Sequence, residues 1–134
     1  MAGIFRTGYT AFPISPRNSP AAVAHLLRKA NVSHVLVGPE SSLQGLVASS
    51  LALLDGPNDL KPTTSIIPSF HEIYKPDSEP FEPLAPGNFK LENPAVVLHS
   101  SGSTAFPKPI TWSHYQLLQV GMTPCKSSVS RDNN

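Results

Sequence analysis

The chain has 134 residues and a formal net charge of +1, and 40% of its residues are hydrophobic. That length suits one domain or part of one, and the nearly neutral, unclustered charge gives no electrostatic case for binding nucleic acid or a membrane surface. One cysteine excludes an intramolecular disulfide and a cysteine-based zinc site. Neither a secretory signal nor an apolar run of membrane-spanning length is visible, so we expect a soluble protein of the cytoplasm.

The first half of the chain alternates strand-like and helix-like segments. Residues 8–15 are expected to form a short strand that prolines close. The next segment predicts a helix with Asn18 or Ser19 as its cap and Pro20 at its first position. A β-branched run predicts a strand over residues 32–38, apolar spacing predicts a helix over 42–54, and residues 64–70 predict another strand.

The second half begins with a proline-rich and acidic stretch, residues 75–94, which we expect to be a connector. An apolar strand, "AVVLHSS", and a returning strand, "ITW", follow it. "SHYQLLQVG" then predicts a helix with Ser113 as its cap. Residues 122–134 are polar without a pattern and predict a disordered tail. This order of elements predicts an α/β fold with parallel crossovers.

The segment with the clearest chemistry is "SSGSTAFPKP", residues 100–109. After the apolar strand it places four hydroxyl residues around a glycine: Ser100, Ser101, Gly102, Ser103 and Thr104. Hydroxyls and successive backbone N–H groups make a concave donor surface for phosphate oxygens, and Lys108 adds a positive charge. The spacing is not that of a Walker A loop. A Ser-rich surface turn is the alternative, but the buried strand before the cluster and the Pro-Lys after it favour phosphate binding.

This segment resembles the phosphate-loop signature of the adenylate-forming, or AMP-binding, superfamily, Ser/Thr-Ser-Gly-Ser/Thr-Thr-Gly-x-Pro-Lys-Gly. Residues 100–104, Pro107 and Lys108 match it position by position, and residues 8–27 are similar to an earlier segment of that family. Residues 98–118 most resemble the sequence of fungal peptide-synthetase-like carboxylic acid reductases. In these proteins the adenylation domain precedes a phosphopantetheine carrier domain and a reductase domain. The resemblance covers residues 8–121. It implies that residues 1–121 are an internal fragment of an adenylation domain, an incomplete N-terminal subdomain with part of a parallel sheet and the phosphate loop at 99–110, and that 122–134 are a tail.

The resemblance also implies an activity, the ATP-dependent conversion of a carboxylic acid to an acyl-adenylate, with Mg²⁺ as the metal of the parent family. The nucleotide-binding residues are then Ser100, Ser101, Gly102, Ser103, Thr104 and Lys108. The family's acidic metal ligand and catalytic lysine belong to motifs downstream of this loop, so we assign no catalytic residue and no metal ligand, and expect at most weak ATP binding. The alternative is a non-catalytic remnant or interaction module with an exposed sheet edge and no nucleotide binding.

Two positions depart from the family pattern, Ala105 and Pro109, where most members have glycine. The proline variant is familiar in the reductase-like branch. If the family's glycine adopts a positive φ at position 105, a Cβ there costs about 1 kcal/mol or more and tilts the loop away from the phosphates.

Other reactive side chains carry weaker signals. The histidines show no paired ligand spacing, and Cys125 has no partner base near it in sequence, so we expect neither a zinc site nor a cysteine nucleophile. Three acidic residues of the connector are expected to be solvated: Asp77, Glu79 and Glu82. Four rings flank the phosphate loop in sequence: His99, Trp112, His114 and Tyr115. Each can contact a nucleotide, but packing is the preferred interpretation.

Overall fold

The structure, a computed structural model, describes residues 2–57, 59–74, 90–100 and 106–122. The helices among these residues are α1 (Ala2–Arg6), α2 (Pro20–Lys29), α3 (Ser41–Leu51), α4 (Phe70–Ile73) and α5 (His114–Met122). The strands are β1 (His34–Val37), β2 (Thr63–Ile66), β3 (Pro94–His99) and β4 (Pro109–Ser113). Most of the predicted connector, residues 75–89, and the predicted tail from residue 123 onward lie outside the described residues.

The four strands form two small sheets. β1 and β2 run parallel, from His34 opposite Thr63 to Val37 opposite Ile66, and α3 lies between them in the chain. β3 and β4 form an antiparallel hairpin with His99 opposite Pro109 at one end and Pro94 opposite Ser113 at the other. Helices combined with a small parallel sheet confirm the predicted α/β class.

The predicted strand over residues 8–15 is wrong. Gly8 instead ends α1: its φ is +76°, the Gly8 N–H donates to the Phe5 carbonyl, and the Tyr9 N–H donates to the Ile4 carbonyl. This pattern is a Schellman motif, in which glycine adopts the left-handed conformation at low cost. Beyond it, Ala11 alone forms a parallel bridge with Val96. Pro13 and Pro16 carry no N–H group, so a regular ladder does not continue through them.

The helix starts follow local capping chemistry. The Ser19 hydroxyl accepts the Ala22 N–H at 3.3 Å, and Pro20 occupies the first turn of α2, as predicted. At α5 the Ser113 hydroxyl accepts the Gln116 N–H at 3.3 Å, while the Gln116 side-chain oxygen accepts the Ser113 N–H at 2.8 Å. This reciprocal pair is a capping box, and it explains why β4 passes directly into α5 at this residue.

The core lies between α2 and the end of α3. Val23, Ala24 and Leu27 of α2 pack around Leu54, which is 1% exposed. α3 ends at Leu51, three residues before the predicted end, and the chain then turns so that Leu54 points back into the core. The apolar spacing predicted a longer helix because Leu54, which follows α3, is buried beside apolar residues of the helix itself.

The parallel sheet leaves apolar side chains on the surface. All four residues of β2 are exposed, and large apolar side chains remain half exposed in this region: Leu36 at 49%, Ile66 at 56% and Ile67 at 46%. Strand residues of this type normally pack against another layer.

Among the described residues, no helix is long and apolar enough to cross a membrane.

An ion pair joins α2 to the turn before β2. Arg28 donates two hydrogen bonds to Asp59, from Nε to Oδ1 at 2.6 Å and from Nη2 to Oδ2 at 2.7 Å, and Nη2 also donates to the Leu53 carbonyl at 3.1 Å. The Asp59 side chain is 9% exposed and also accepts the Gly56 N–H. The hydrogen bonds from Arg28 hold the pKa of Asp59 below its usual range.

Because the Asp59 pKa is lowered on folding, the pair stabilises the chain above the ordinary aspartate pKa, and this contribution is lost as the pH falls through the lowered value. We expect Asp59→Asn to lower the midpoint of unfolding in urea at neutral pH. In acid, the midpoints of this variant and of the unchanged chain should become equal. Asp55→Asn is the control, because Asp55 acts on Arg28 only through weaker longer-range attraction. A midpoint difference for Asp59→Asn that persists in acid would contradict the assignment.

Candidate functional site

The two ends of the Ser-rich segment are held together by main-chain contacts. The Ser100 N–H donates to the Lys108 carbonyl at 3.1 Å, and the Lys108 N–H donates to the Ser100 hydroxyl at 3.1 Å. These bonds extend the β3–β4 hairpin by one pair beyond His99 and Pro109. We call this Ser100–Lys108 pair the neck. It uses the main chain of Lys108, and the Lys108 side chain is exposed.

A histidine fixes the β3 side of the neck. The Ser15 N–H donates to His99 Nε2 at 3.2 Å, and His99 Nδ1 lies 3.1 Å from the Ser100 carbonyl oxygen. Since a backbone N–H can only donate, Nε2 is the acceptor and Nδ1 carries the proton that the Ser100 carbonyl accepts. Phe12 meets the same ring edge-on at 6.4 Å. His99 is therefore a packed, hydrogen-bonded residue that ties the neck to residues 12–15.

The predicted nucleotide-binding residues fall into two groups. Ser100 and Lys108 are described, and the neck brings them together. The other four lie outside the described residues: Ser101, Gly102, Ser103 and Thr104. Ala105 also lies outside them.

A cavity of about 460 Å³ adjoins the β4 side of the neck. Its lining combines two residues of α2 with three that follow the loop: His25, Lys29, Phe106, Lys108 and Pro109. The sequence interpretation did not connect α2 with this site. One signal was available, because His25 and Lys29 are four residues apart and therefore share a face of the helix.

The second cavity differs in charge. It has a volume of about 380 Å³, lies at the carboxyl ends of β1 and β2, and includes Glu40 and Glu72 in its lining. The Ser69 hydroxyl and N–H both donate to Glu72, each at 2.7 Å, and these bonds lower the pKa of that carboxyl. Two carboxylates repel a phosphate, so the lysine-lined cavity is the better candidate for an anion.

The other rings that flank the loop in sequence lie at the far end of the hairpin. Trp112 pairs with Val96, and the Tyr115 N–H donates to the Leu91 carbonyl at 2.8 Å. His114 meets Phe5 of α1 edge-on at 5.8 Å. The ring contact of His114 agrees with the packing interpretation, whereas Tyr115 is 50% exposed. Across the described ranges, no group of three or more His, Cys, Asp or Glu side chains is placed to hold a metal ion.

A comparison with family models assigns the chain to a family. Residues 1–132 match the family described as "AMP-binding enzyme". The chain belongs to the AMP-binding enzyme family. This confirms the resemblance inferred from the loop signature, and the match extends over nearly the whole chain.

Named relatives of the chain include fungal adenylate-forming reductases. The chain is 43% identical over 132 residues to the adenylate-forming reductase Nps10 of Heterobasidion annosum, covering 92% of this chain and 12% of that protein. It is 35% identical over 125 residues to the adenylate-forming reductase Nps11 of Serpula lacrymans var. lacrymans (strain S7.9), covering 88% of this chain and 11% of that protein. The chain thus spans about a tenth of the length of these relatives.

A solved structure shares the fold of this chain. The luciferase-like enzyme from the nonluminescent Zophobas morio mealworm superposes with a TM-score of 0.64 at 24% identity, covering 86% of this chain and 27% of that one. Most of the chain therefore shares its fold with about a quarter of that enzyme.

Proposed function

We propose that this chain contributes the phosphate-binding loop of an adenylation domain. The observation that carries the proposal is the neck, which holds Lys108 opposite Ser100 at the end of a hairpin whose sequence matches the family signature. The phosphate-binding groups are those of the signature: Ser100, Ser101, Gly102, Ser103, Thr104 and Lys108. These hydroxyl, amide and ammonium donors suit the β- and γ-phosphates of ATP.

In the complete reaction a carboxylate oxygen attacks the α-phosphorus of ATP, the bond to the β-phosphate oxygen breaks, and acyl-adenylate and pyrophosphate form. The loop's share is electrostatic, because its donors stabilise charge on the departing pyrophosphate. The family's acidic metal ligand belongs to a motif downstream of this loop, so we assign no residue to Mg²⁺. We propose further that the acyl-adenylate is passed to a carrier domain bearing phosphopantetheine, and that the cytoplasm is the site of action.

Titration of the chain with ATP and with adenosine tests this function. We expect weak binding of ATP and at least tenfold weaker binding of adenosine, because the described donors recognise phosphate rather than base or ribose. Equal affinities, or no detectable binding of ATP, would reject nucleotide binding. The apolar residues exposed on β1 and β2 would then favour the second candidate function, an interaction module that packs this sheet against another polypeptide.

Ala105→Gly is expected to tighten ATP binding, by about fivefold if the family's positive φ applies at this position. Glycine adopts that conformation without the cost of about 1 kcal/mol that a Cβ imposes. The measurement is the same ATP titration. Ala48→Gly is the control because Ala48 is exposed, whereas Ala11 is buried and is not suitable. Unchanged or weaker affinity for Ala105→Gly would show that this position needs no positive φ.

A further inference from the structure

The lysine-lined cavity beside the neck contains two ammonium groups from distant parts of the chain. Lys29 ends α2 and Lys108 follows the Ser-rich segment, and both are exposed and line the same cavity of about 460 Å³. Among the described residues of its lining there is no carboxylate. Two exposed ammonium groups beside one cavity with no described carboxylate form a positive surface that attracts anions.

A ring stack brings the two walls together. His25 of α2 and Phe106 lie nearly parallel, with ring centroids 4.9 Å apart and an interplanar angle of 16°. Lys29 follows His25 by one helical turn, and Lys108 follows Phe106 by two residues, so the stack joins the two segments that carry the lysines. The neck holds the main chain of Lys108 independently of this stack.

The neighbouring residues Arg28 and Lys29 differ in what their side chains contact. Arg28 precedes Lys29 directly, but its guanidinium binds Asp59 and the Leu53 carbonyl on another face of the helix. Lys29 instead lines the cavity with Lys108. A ligand with several negative charges, such as a chain of phosphates, suits two ammonium groups better than a monoanion does.

We propose that Lys29 of α2 binds the same phosphate chain of ATP as Lys108, and that the His25–Phe106 stack positions the two lysines for it. This proposal rests on the proposed function, because it adds a second wall to the same phosphate site. Lys29 contacts the ligand directly, whereas His25 is a positioning residue that acts through Phe106.

Titration of ATP into lysine variants of the full chain tests the ligand contact. We expect Lys29→Ala to weaken ATP binding by about three- to tenfold, and the loss to shrink at high salt because both charges are exposed. Lys61→Ala is the matched control, since it removes one exposed positive charge that does not line the cavity. Inorganic tripolyphosphate should show the same loss, which would assign it to the phosphates.

The outcomes separate the two claims. If Lys108→Ala weakens ATP binding while Lys29→Ala behaves like Lys61→Ala, the second wall is wrong and the proposed function stands. If the unchanged chain does not bind ATP, the proposed function and the second wall both fall.

Two substitutions of His25 test the positioning role. We expect His25→Ala to weaken ATP binding by roughly two- to tenfold, as the loss of an aromatic contact would, and His25→Phe to retain the affinity of the unchanged chain because it keeps a ring against Phe106. Thermal unfolding midpoints are measured in parallel. If His25 served only the stability of the fold, the midpoint would fall in His25→Ala, and His25→Phe would not restore ATP affinity. Equal weakening by Ala and Phe would overturn the positioning role.

Discussion

Replacing Leu54 by Ala is expected to lower the free energy of unfolding by about 2–5 kcal/mol, the usual cost of removing a fully buried leucine side chain. Leu54 is 1% exposed and packs against Val23, Ala24 and Leu27, so truncation leaves a cavity between α2 and the segment after α3. Domains are typically stable by about 5–15 kcal/mol, so this loss removes a large share of the total. Because Leu54 lies outside the helices, helix propensity does not contribute to the effect.

Equilibrium unfolding in urea measures the effect, and the preceding residue supplies the control. Leu53 is 46% exposed, and its contact with Arg28 uses the backbone carbonyl, which a side-chain substitution retains. We expect Leu53→Ala to change stability by no more than about 0.5 kcal/mol. Leu54→Met should cost less than about 1.5 kcal/mol, because it nearly conserves volume. Similar losses for Leu53→Ala and Leu54→Ala would contradict the description of the core.

Removing the Lys108 ammonium is the second large effect that we expect. Lys108→Ala should weaken ATP binding by about 1.5–3 kcal/mol, or roughly 10- to 150-fold, because a charge-assisted contact to phosphate is lost. The neck uses the N–H and carbonyl of Lys108, which alanine retains, so the substitution isolates the side chain. Unfolding in urea should therefore be nearly unchanged while ATP affinity falls.

Calorimetric titration of ATP, with Lys61→Ala beside Lys108→Ala, provides the measurement. A Ser-rich surface turn predicts that the two variants bind alike, since neither lysine would meet the ligand. Lys108→Arg keeps the charge on a planar group with different reach, so an intermediate affinity is expected. A loss confined to stability would place Lys108 in the fold rather than in the site.

Sequence patterns predicted the elements whose signals are local. Ser19 and Pro20 mark the start of α2, and the apolar run before the Ser-rich segment marks β3, so both were placed correctly. Gly8 was misassigned because a glycine suits either the start of a strand or the end of a helix. α1 has five residues, too few for an apolar period to show which of the two applies.

The candidate site could be predicted in part for the same reason. The residues of the loop adjoin one another in sequence, so their shared chemistry was visible there. The cavity depends on α2 meeting residues that lie far along the chain, at Phe106 and Lys108, and no spacing within either segment encodes that contact. His99 presents the same limit, because its acceptor role depends on the Ser15 N–H.

The neck has a consequence for how this family diversifies. Its hydrogen bonds use main-chain groups and the Ser100 hydroxyl, so they do not depend on which side chains occupy positions 101–105. Of the proposed phosphate-binding residues, only Ser100 and Lys108 also belong to the neck, and Lys108 uses its main chain there. Exchanges between the two ends, as at Ala105, are then expected to change ligand affinity while the hairpin keeps its closure.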